Sequence, residues 1–410
     1  MSLDPECERR RARRAEIRRR QVRRRRTAGA ALLVALAGIG VWAAATLASG
    51  RDESPQSTDS VASIALSAMD PGTAATTTAT TATTAAAATT PGLAKRSVTI
   101  AWVGDTVLAS SFGTPPDGAR NSLTPVAAPL RSADLAFGNL EETLSQLPDT
   151  KCGSSSNCYA FQAPPAYSRV LAAAGFDVMN LANNHADDFG TGGERSTEAA
   201  LRNAGVRWTG RPGQITILRR NGLRIAFLGF APYKWASRLE DVKSAQALVR
   251  RAAARADLVV VAIHAGAEGS GAIHVPHGTE TFLGENRGDS RRFAHAVIDA
   301  GADLVVGSGP HVIRGVERYH GRLIAYSTGN FAGYKNFGTG GTLSLSAILR
   351  VRLRGDGGFA GGTWVSLALD GSALPHPDPS RASARLVAQL SREDFGSSAA
   401  HIDADGTIRP

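Results

Sequence analysis

The segment from Phe176 to Gly190, FDVMNLANNHADDFG, most constrains how this chain can fold. Residues 178–182 are apolar apart from one asparagine, which is typical of a buried strand. The apolar run then gives way to amides and an imidazole, Asn184 and His185 among them. Ligands bind at the carboxyl ends of strands in α/β sheets, so this end is a candidate site. A solvated surface turn is the alternative, because Asn and Asp favour turns.

Strands and helices alternate along the chain from Lys95 onward, which predicts an α/β layered fold. Residues 257–263, DLVVVAI, are continuously apolar, as in a strand buried on both faces. Turn residues around Asn221-Gly222 and His320-Gly321 predict two hairpins. Further predicted strands cover 97–103, 133–137, 303–306, 343–351 and 363–369, and predicted helices cover 164–174, 193–204, 241–256 and 291–300. We predict a domain over 95–375 and a polar tail over 376–410.

The net charge of +10 is concentrated in an N-terminal arm, residues 1–26. Twelve arginines stand there against four acidic residues, which leaves +2 for the remaining 384 residues. The rest of the chain is therefore near neutral, and we expect no nucleic-acid partner. The arginines could bind RNA or DNA, but beside an apolar run they are more simply an orientation signal that contacts anionic lipid.

Residues 27–50 contain no charged side chain and are long enough to span a bilayer. The preceding arginines predict a cytoplasmic N-terminus, so we expect a single-pass signal anchor and an extracytoplasmic main domain. A cleaved signal peptide is the alternative, because Thr46-Leu47-Ala48 resembles a cleavage site. Residues 51–94, rich in Thr and Ala, are predicted to be a disordered linker, since they contain almost no large apolar residues.

The three cysteines fit this topology. Cys7 falls in the cytoplasmic arm, whereas Cys152 and Cys158 fall in the part predicted to be outside. Because an oxidising compartment permits disulfides, we predict a Cys152–Cys158 disulfide. Two free thiols are the alternative.

Each of five predicted strand ends carries a potential ligand, which is harder to dismiss than one isolated histidine. Carboxylate, amide and imidazole groups together suit Mn, Fe or Zn. Two such ions a few ångströms apart lower the pKa of a bridging water and bind a phosphoryl group. The candidate residues are Asp105, Glu141, Asn184 with His185, His264 and His311.

The motifs that surround these residues resemble those of the capsule-biosynthesis CapA family, over roughly residues 98–331. The resemblance implies a calcineurin-like metallophosphoesterase fold, a layered β-sandwich flanked by helices. It also implies a role in synthesis or export of poly-γ-glutamate at the cell surface, with membrane-bound ligase subunits as partners. The matching segments are Gly104-Asp105, GNLE (138–141), NLANNHADDFG, HAGAE (264–268), GADLVVGSGPHV and YSTGNF (326–331).

The resemblance also implies roles for individual residues. Asp105 would bind a first metal ion, and Glu141 would bridge two ions. Asn184 and His264 would bind the second ion, and His311 would close the site. His185 would act as the catalytic acid or stabilise charge on the leaving group. Glu268 and Asn330 belong to family motifs as well, with Glu268 a candidate for orienting an imidazole.

Two positions depart from the family pattern. Gly309 stands where many members have the first histidine of His-Pro-His, and Val107 stands where phosphoesterases have the histidine of Asp-x-His. The sequence therefore leaves open one ion, two ions, or a site that binds without hydrolysis. The other histidines considered as replacement ligands are His274, His277 and His295.

Three functions follow from these observations. The first is a membrane-anchored CapA-type protein of capsule or poly-γ-glutamate-type polymer assembly, acting on an anionic polymer. The second is an extracytoplasmic metal-dependent phosphoesterase-like hydrolase. The third is a polymer-binding scaffold that keeps the fold without catalysis.

Overall fold

Two stacked β-sheets form the centre of the fold in the computed structural model, which describes residues 92–153 and 158–410. Within these residues the strands are β1 (Ser97–Val107), β2 (Leu135–Leu140), β3 (Thr143–Leu144), β4 (Gln162–Ala163), β5 (Val178–Asn180), β6 (Arg207–Thr209), β7 (Thr216–Arg220), β8 (Leu223–Ala231), β9 (Ser237–Arg238), β10 (Leu258–His264), β11 (Glu280–Phe282), β12 (Glu285–Gly288), β13 (Leu304–Ser308), β14 (Val316–Tyr319), β15 (Arg322–Ala325), β16 (Asn330–Gly333), β17 (Leu345–Arg354), β18 (Phe359–Leu369), β19 (Pro375–Pro377) and β20 (Thr407–Ile408). The α-helices are α1 (Ala127–Arg131), α2 (Ser168–Ala174), α3 (Gly190–Asn203), α4 (Val242–Ala253), α5 (Ser290–Asp299) and α6 (Ala382–Phe395).

The first sheet has the order β19-β18-β17-β1-β2-β5-β6, with β16 beside the second half of β1 and β20 beside β18. The second sheet has the order β14-β15-β13-β10-β8-β7, with β9 beside β8. The strands β1, β2, β5 and β6 are parallel, as are β8, β10, β13 and β15. The carboxyl ends of the parallel strands are where the candidate ligands lie.

The inner faces of the two sheets form one apolar core. Alternate residues of β1, β2, β8, β10 and β13 point into it, which is the period expected when strands bury one face against a second sheet. The Phe137 ring makes T-shaped contacts with both Trp102 and Phe227, and the Trp102 indole donates to the Gly307 carbonyl across the sandwich. The sheets are thereby joined close to the candidate ligands.

The outer faces of the sheets are covered by helices. The short helices α1 and α2, with α3, pack on the first sheet, and α4 and α5 pack on the second. Asp241 is the N-cap of helix α4 and Asp289 is the N-cap of α5, and each accepts a hydrogen bond from a backbone N–H of the first turn. The result is an α/β layered sandwich flanked by helices, as predicted.

An aspartate precedes four of the parallel strands. In each case its backbone N–H donates to the neighbouring strand, and its carboxylate accepts a backbone N–H from that same strand. These contacts fix the register at the amino ends of the strands, opposite the candidate site. The four residues are Asp134 before β2, Asp177 before β5, Asp257 before β10 and Asp303 before β13.

The C-terminal residues differ from the predicted polar tail over 376–410. Helix α6 is folded, and it buries Ala384, Val387 and Leu390 in the same core that lies between the sheets. The Ser391 hydroxyl donates to the Val387 carbonyl and accepts from the Val316 N–H. The segment is rich in Ala, Ser and charged residues, so its composition resembles that of a solvated tail. Its buried residues nevertheless recur at helical spacing.

The predicted arm, membrane anchor and linker, residues 1–26, 27–50 and 51–94, lie outside the described residues except for 92–94. Among residues 92–153 and 158–410, none of the helices has the length and apolar character needed to cross a bilayer.

Candidate metal centre

Asp105 lies on β1, within a strand that continues to Val107 rather than ending at Val103 as predicted. The register of β1 shifts at this point, where its neighbours are β2 on one side and β16 on the other. The Asp105 carboxylate is fully buried. It accepts hydrogen bonds from the Asn139 amide at 2.8 Å and the Gly309 N–H at 3.1 Å.

Glu141 and His264 come to Asp105 from different sheets. Glu141 directly follows β2, and His264 is the last residue of β10. His264 Nδ1 lies 3.6 Å from Asp105 Oδ1, and His264 Nε2 lies 3.5 Å from Glu141 Oε1. One ligand atom from each of the three residues fits within 4.8 Å of the others, so this group can bind a metal ion.

The polar atoms of this cluster are placed to coordinate a metal ion rather than to form hydrogen bonds with one another. Both carboxylate oxygens of Glu141 and Nε2 of His264 are buried and lack a hydrogen-bond partner among the described residues. The 3.5 Å between His264 Nε2 and Glu141 Oε1 is too long for a good hydrogen bond. Buried polar groups are otherwise nearly always satisfied, so these atoms are preorganised for a ligand.

His311 follows β13 and adopts a left-handed backbone conformation, with φ +60°. Its Nδ1 lies 2.8 Å from the Asn330 side-chain oxygen and 3.2 Å from Asp105 Oδ2. Its Nε2 faces two acids, Glu268 at 3.7 Å and Glu141 at 3.9 Å. Asn330 therefore orients the ring, and Nε2 is the nitrogen left for a metal ion.

The cluster shifts the pKa values of its members strongly. Burial raises the pKa of Glu141 well above its usual range, and the charge of Asp105 adds to this. Burial lowers the pKa of His264 well below its usual range. Burial also opposes charge on Asp105 and on His311, but neighbouring opposite charges outweigh it. The contact with His311 lowers the pKa of Asp105 to about 2, and the charges of Glu141 and then Asp105 raise the pKa of His311 to about 10.

A chain of buried amides holds these residues in place. Asn139 donates to Asp105 and accepts from Asn180 at 2.9 Å and Asn183 at 3.3 Å. Sequence reasoning missed this role, although all three asparagines lie in the quoted motifs. Three amides at the ends of two neighbouring strands, β2 and β5, were the available signal.

Asn184 and His185 lie beside the cluster rather than within it. The His185 imidazole is 7% exposed, stacks on Phe161 at 4.1 Å, and lies with Nδ1 2.8 Å from Asp188 Oδ2. Burial lowers the pKa of His185, and Asp188 opposes this. Asp188 thus fixes the ring and leaves Nε2 for a ligand. The buried side-chain oxygen of Asn184 lacks a partner among the described residues.

A cavity of about 420 Å³ lies between His311 of the cluster and the pair Asn184 and His185. Asn184, His185, His311, Asn330 and Glu268 all line it. Aromatic and aliphatic side chains form much of the remaining wall. The cavity can therefore admit a ligand that touches His185 on one side and His311 on the other.

Cys158, which forms a disulfide with Cys152, lines this cavity. On its N-terminal side, the Lys151 ammonium lies 2.7 Å from Asp188 Oδ1 and donates to the Asn184 carbonyl. On its C-terminal side, the Phe161 N–H donates to Asp188 Oδ2 at 2.6 Å. Residues 154–157 of the loop lie outside the described part of the chain.

The two departures from the family pattern bring no nitrogen ligand. Val107 is fully buried and has an apolar side chain, and Gly309 has no side chain. The other histidines do not replace them, because each is engaged elsewhere. His274 contacts Asp394, His277 contacts Arg291, and His295 contacts Glu317.

Comparison with known families identifies the chain. The family described as "Bacterial capsule synthesis protein PGA_cap" matches residues 99–335, more than half of the sequence. The chain belongs to this family. The resemblance seen in the sequence motifs is confirmed, and the match spans Asp105, Glu141, His264 and His311 of this PGA_cap protein.

Two Bacillus proteins are among its relatives. The chain is 30% identical over 245 residues to "PGA biosynthesis protein CapA" of Bacillus subtilis, which covers 55% of this chain and 60% of the relative. It is 28% identical to "Capsule biosynthesis protein CapA" of Bacillus anthracis, over 56% of each chain. A probable polyglutamine synthesis accessory protein of Mycobacterium tuberculosis is 32% identical, over 54% of this chain and 60% of that relative. The PGA_cap chain thus matches less than two thirds of their lengths.

Solved structures give only a distant likeness. The 5'-nucleotidase precursor from Thermus thermophilus aligns with 72% of the PGA_cap chain and 59% of its own, at 13% identity and a TM-score of 0.39. NAD nucleotidase of Haemophilus influenzae aligns at 10% identity and a TM-score of 0.35, covering 73% and 56%.

Proposed function

We propose that this protein is a membrane-anchored, extracytoplasmic component of capsule or poly-γ-glutamate-type polymer synthesis or export. The observation that carries the proposal is the PGA_cap match, because residues 99–335 include the whole buried cluster of Asp105, Glu141 and His264. The printed names of the two Bacillus relatives support the same function.

The anchor and the partners are part of this proposal. Residues 27–50 would hold the chain in the cell membrane by a single pass, with arm 1–26 cytoplasmic. The linker 51–94 would let the domain work outside, beside membrane-bound ligase or export subunits. The twelve arginines followed by an uncharged apolar run support this topology.

A divalent ion, Mn, Fe or Zn, would be held by Asp105, Glu141 and His264, with His311 as a fourth ligand. Bound there, it would supply positive charge for an anionic group and lower the pKa of a bound water. The chain's own residues would do the rest. Asn139 and Asn330 orient the ligands, and Asp188 holds His185 so that its Nε2 can exchange a proton with a ligand in the cavity.

A deletion and complementation experiment tests the polymer role. Removing the gene from its source organism should strongly reduce surface polymer, measured as glutamate in acid hydrolysates of polymer that has been extracted from the cell surface and freed of protein. The wild-type chain and the exposed-site control His376→Ala should restore it, whereas Asp105→Ala should not. Unchanged polymer in the deletion strain would contradict the proposal.

A phosphoesterase-like hydrolase is the second candidate, and the placement of His185 favours it. The imidazole is buried, fixed by Asp188, and faces the same cavity as His311. The full-length chain with Mn²⁺ should then hydrolyse bis(p-nitrophenyl) phosphate, and His185→Ala should lower kcat at least a hundredfold while His376→Ala does not. No hydrolysis by a metal-loaded wild type would favour a polymer-binding scaffold instead.

A further inference from the structure

Arg287 places a permanent positive charge beside the candidate metal centre. The side chain comes from β12 and is 1% exposed, and a guanidinium stays protonated even when buried. A buried charge is tolerated when it is paired and hydrogen-bonded. The groups that contact the guanidinium therefore indicate its role.

Those partners tie Arg287 to the segments that follow β10 and β13. Its Nη1 lies 3.0 Å from Glu268 Oε1, and its Nε donates to the Gly266 carbonyl at 2.9 Å. Its Nη2 donates to the Gly309 carbonyl at 3.1 Å. The Tyr233 hydroxyl, 2.7 Å from Nη1, completes the set. The guanidinium thus lies between Glu268 and the residue that precedes Pro310-His311.

Gly309 cannot supply a further ligand in this arrangement. Its φ is +108°, a conformation that L side chains rarely adopt. A Cβ there would lie 3.1 Å from the His264 ring and 3.2 Å from Arg287 Nη2. The space into which a side chain at 309 would project is therefore bounded by the guanidinium and by a candidate ligand.

We infer that the centre takes one divalent ion and that Arg287 supplies the second positive charge in place of a second ion. The three carboxylates around it, Asp105, Glu141 and Glu268, carry three negative charges. When the ion is bound, its ligands are deprotonated, so Glu141 is ionised and the imidazoles are neutral. One divalent ion and one guanidinium then balance the three carboxylates. A second divalent ion would leave a buried excess of positive charge, which is costly to desolvate. The inference rests on the proposed metal centre and fixes its stoichiometry.

The wild-type metal count tests this directly. The full-length chain in detergent is dialysed against Mn²⁺, and bound manganese per chain is measured by mass spectrometry of the metal. We expect one ion per chain and an EPR spectrum of isolated Mn²⁺. Two ions with a spin-coupled spectrum would overturn the inference but keep the metal centre. No bound ion would overturn both.

Variants of Arg287 separate charge from structure. Arg287→Gln should tighten Mn²⁺ binding roughly tenfold or admit a second ion, because a nearby positive charge is removed. Arg287→Lys keeps the charge and should leave the count at one. Weaker binding in both variants would mean that Arg287 only supports the fold and would overturn its role. If Arg287→Gln does not fold, Glu268→Gln is measured instead. It should weaken Mn²⁺ binding several-fold, and unchanged binding would contradict the charge balance.

Discussion

At the residue scale, Glu141 combines complete burial with two side-chain oxygens that lack hydrogen-bond partners among the described residues. Such a group costs stability unless a ligand satisfies it. The presence of Glu141 beside His264 is explained if the centre binds a cation. Binding then satisfies the two oxygens and stabilises the fold at the same time.

The Glu141→Met variant tests that reasoning. In metal-free protein we expect the free energy of unfolding to rise by about 1–3 kcal/mol, because the apolar side chain leaves no unpaired oxygen. The added stability that saturating Mn²⁺ gives the wild type should disappear. Denaturant unfolding with and without Mn²⁺ measures both effects, with the exposed Glu393→Met as control. A variant still stabilised by Mn²⁺ would show that the ion binds elsewhere.

Residue identity predicted part of the site and missed part of it. Four site residues could be predicted from the sequence because each stands at the end of an apolar run. They are Asp105, Glu141, His264 and His311. Arg287 was not, because it follows no such run and its contacts come from segments far away in the chain.

At the scale of elements, the Cys152–Cys158 loop holds the segment that carries His185. The residues on its two sides, Lys151 and Phe161, both contact Asp188. Closing a loop of this size lowers the conformational entropy of the unfolded chain, which raises the free energy of unfolding by about 2 kcal/mol. The loop therefore contributes both to stability and to the placement of the imidazole.

Replacing both cysteines by serine should loosen that placement. We expect diethyl pyrocarbonate to modify His185 several-fold faster in the Cys152→Ser/Cys158→Ser variant, because Phe161 and Lys151 no longer hold its neighbours. Mass spectrometry of peptides measures the rate, and exposed His376 serves as the internal control. Equal His185 rates in the variant and the wild type would refute a positioning role for the loop.

Elements differed in how far their sequences predicted them. The hairpin at Asn221-Gly222 forms as expected, since both residues adopt the positive φ that a tight turn requires. Helix α6 was missed because its buried face consists largely of Ala and Ser, which resemble a solvated tail in composition. The aspartates before β2, β5, β10 and β13 were visible in the sequence, but their role appears only when neighbouring strands pair.

At the scale of the whole molecule, stability should depend on pH through Asp303, which joins β13 to β10 and β15. Burial raises its pKa to about 6, and its ion pair with Arg322 offsets this only in part. Between about pH 4 and 6 the folded protein therefore binds more protons than the unfolded chain. The free energy of unfolding from this group falls as pH rises through that window and is constant above it.

Asp303→Asn removes this dependence. Between pH 4 and pH 7 the free energy of unfolding of the wild type should fall relative to that of the variant by about 2–3 kcal/mol. Urea unfolding across that range measures the difference. Asp134→Asn is the matched control, because Asp134 makes the same strand contacts while only partly buried. Parallel pH profiles for Asp303→Asn and the wild type would contradict the assignment.

Both sheets are needed to build the site. Asp105 and Glu141 come from the first sheet, and His264 and His311 from the second. The α/β alternation predicted that strand ends would carry ligands, but it did not establish which ends would meet, since that depends on how the sheets stack. The centre exists because these side chains meet at one edge of the sandwich.

Anomalous diffraction from crystals grown with Mn²⁺ tests whether these side chains form one metal centre. We predict one anomalous peak among Asp105, Glu141 and His264, about 2.0–2.3 Å from His264 Nε2 and from at least one carboxylate oxygen. A peak bound only by other residues, or none in protein that is otherwise well ordered, would contradict it.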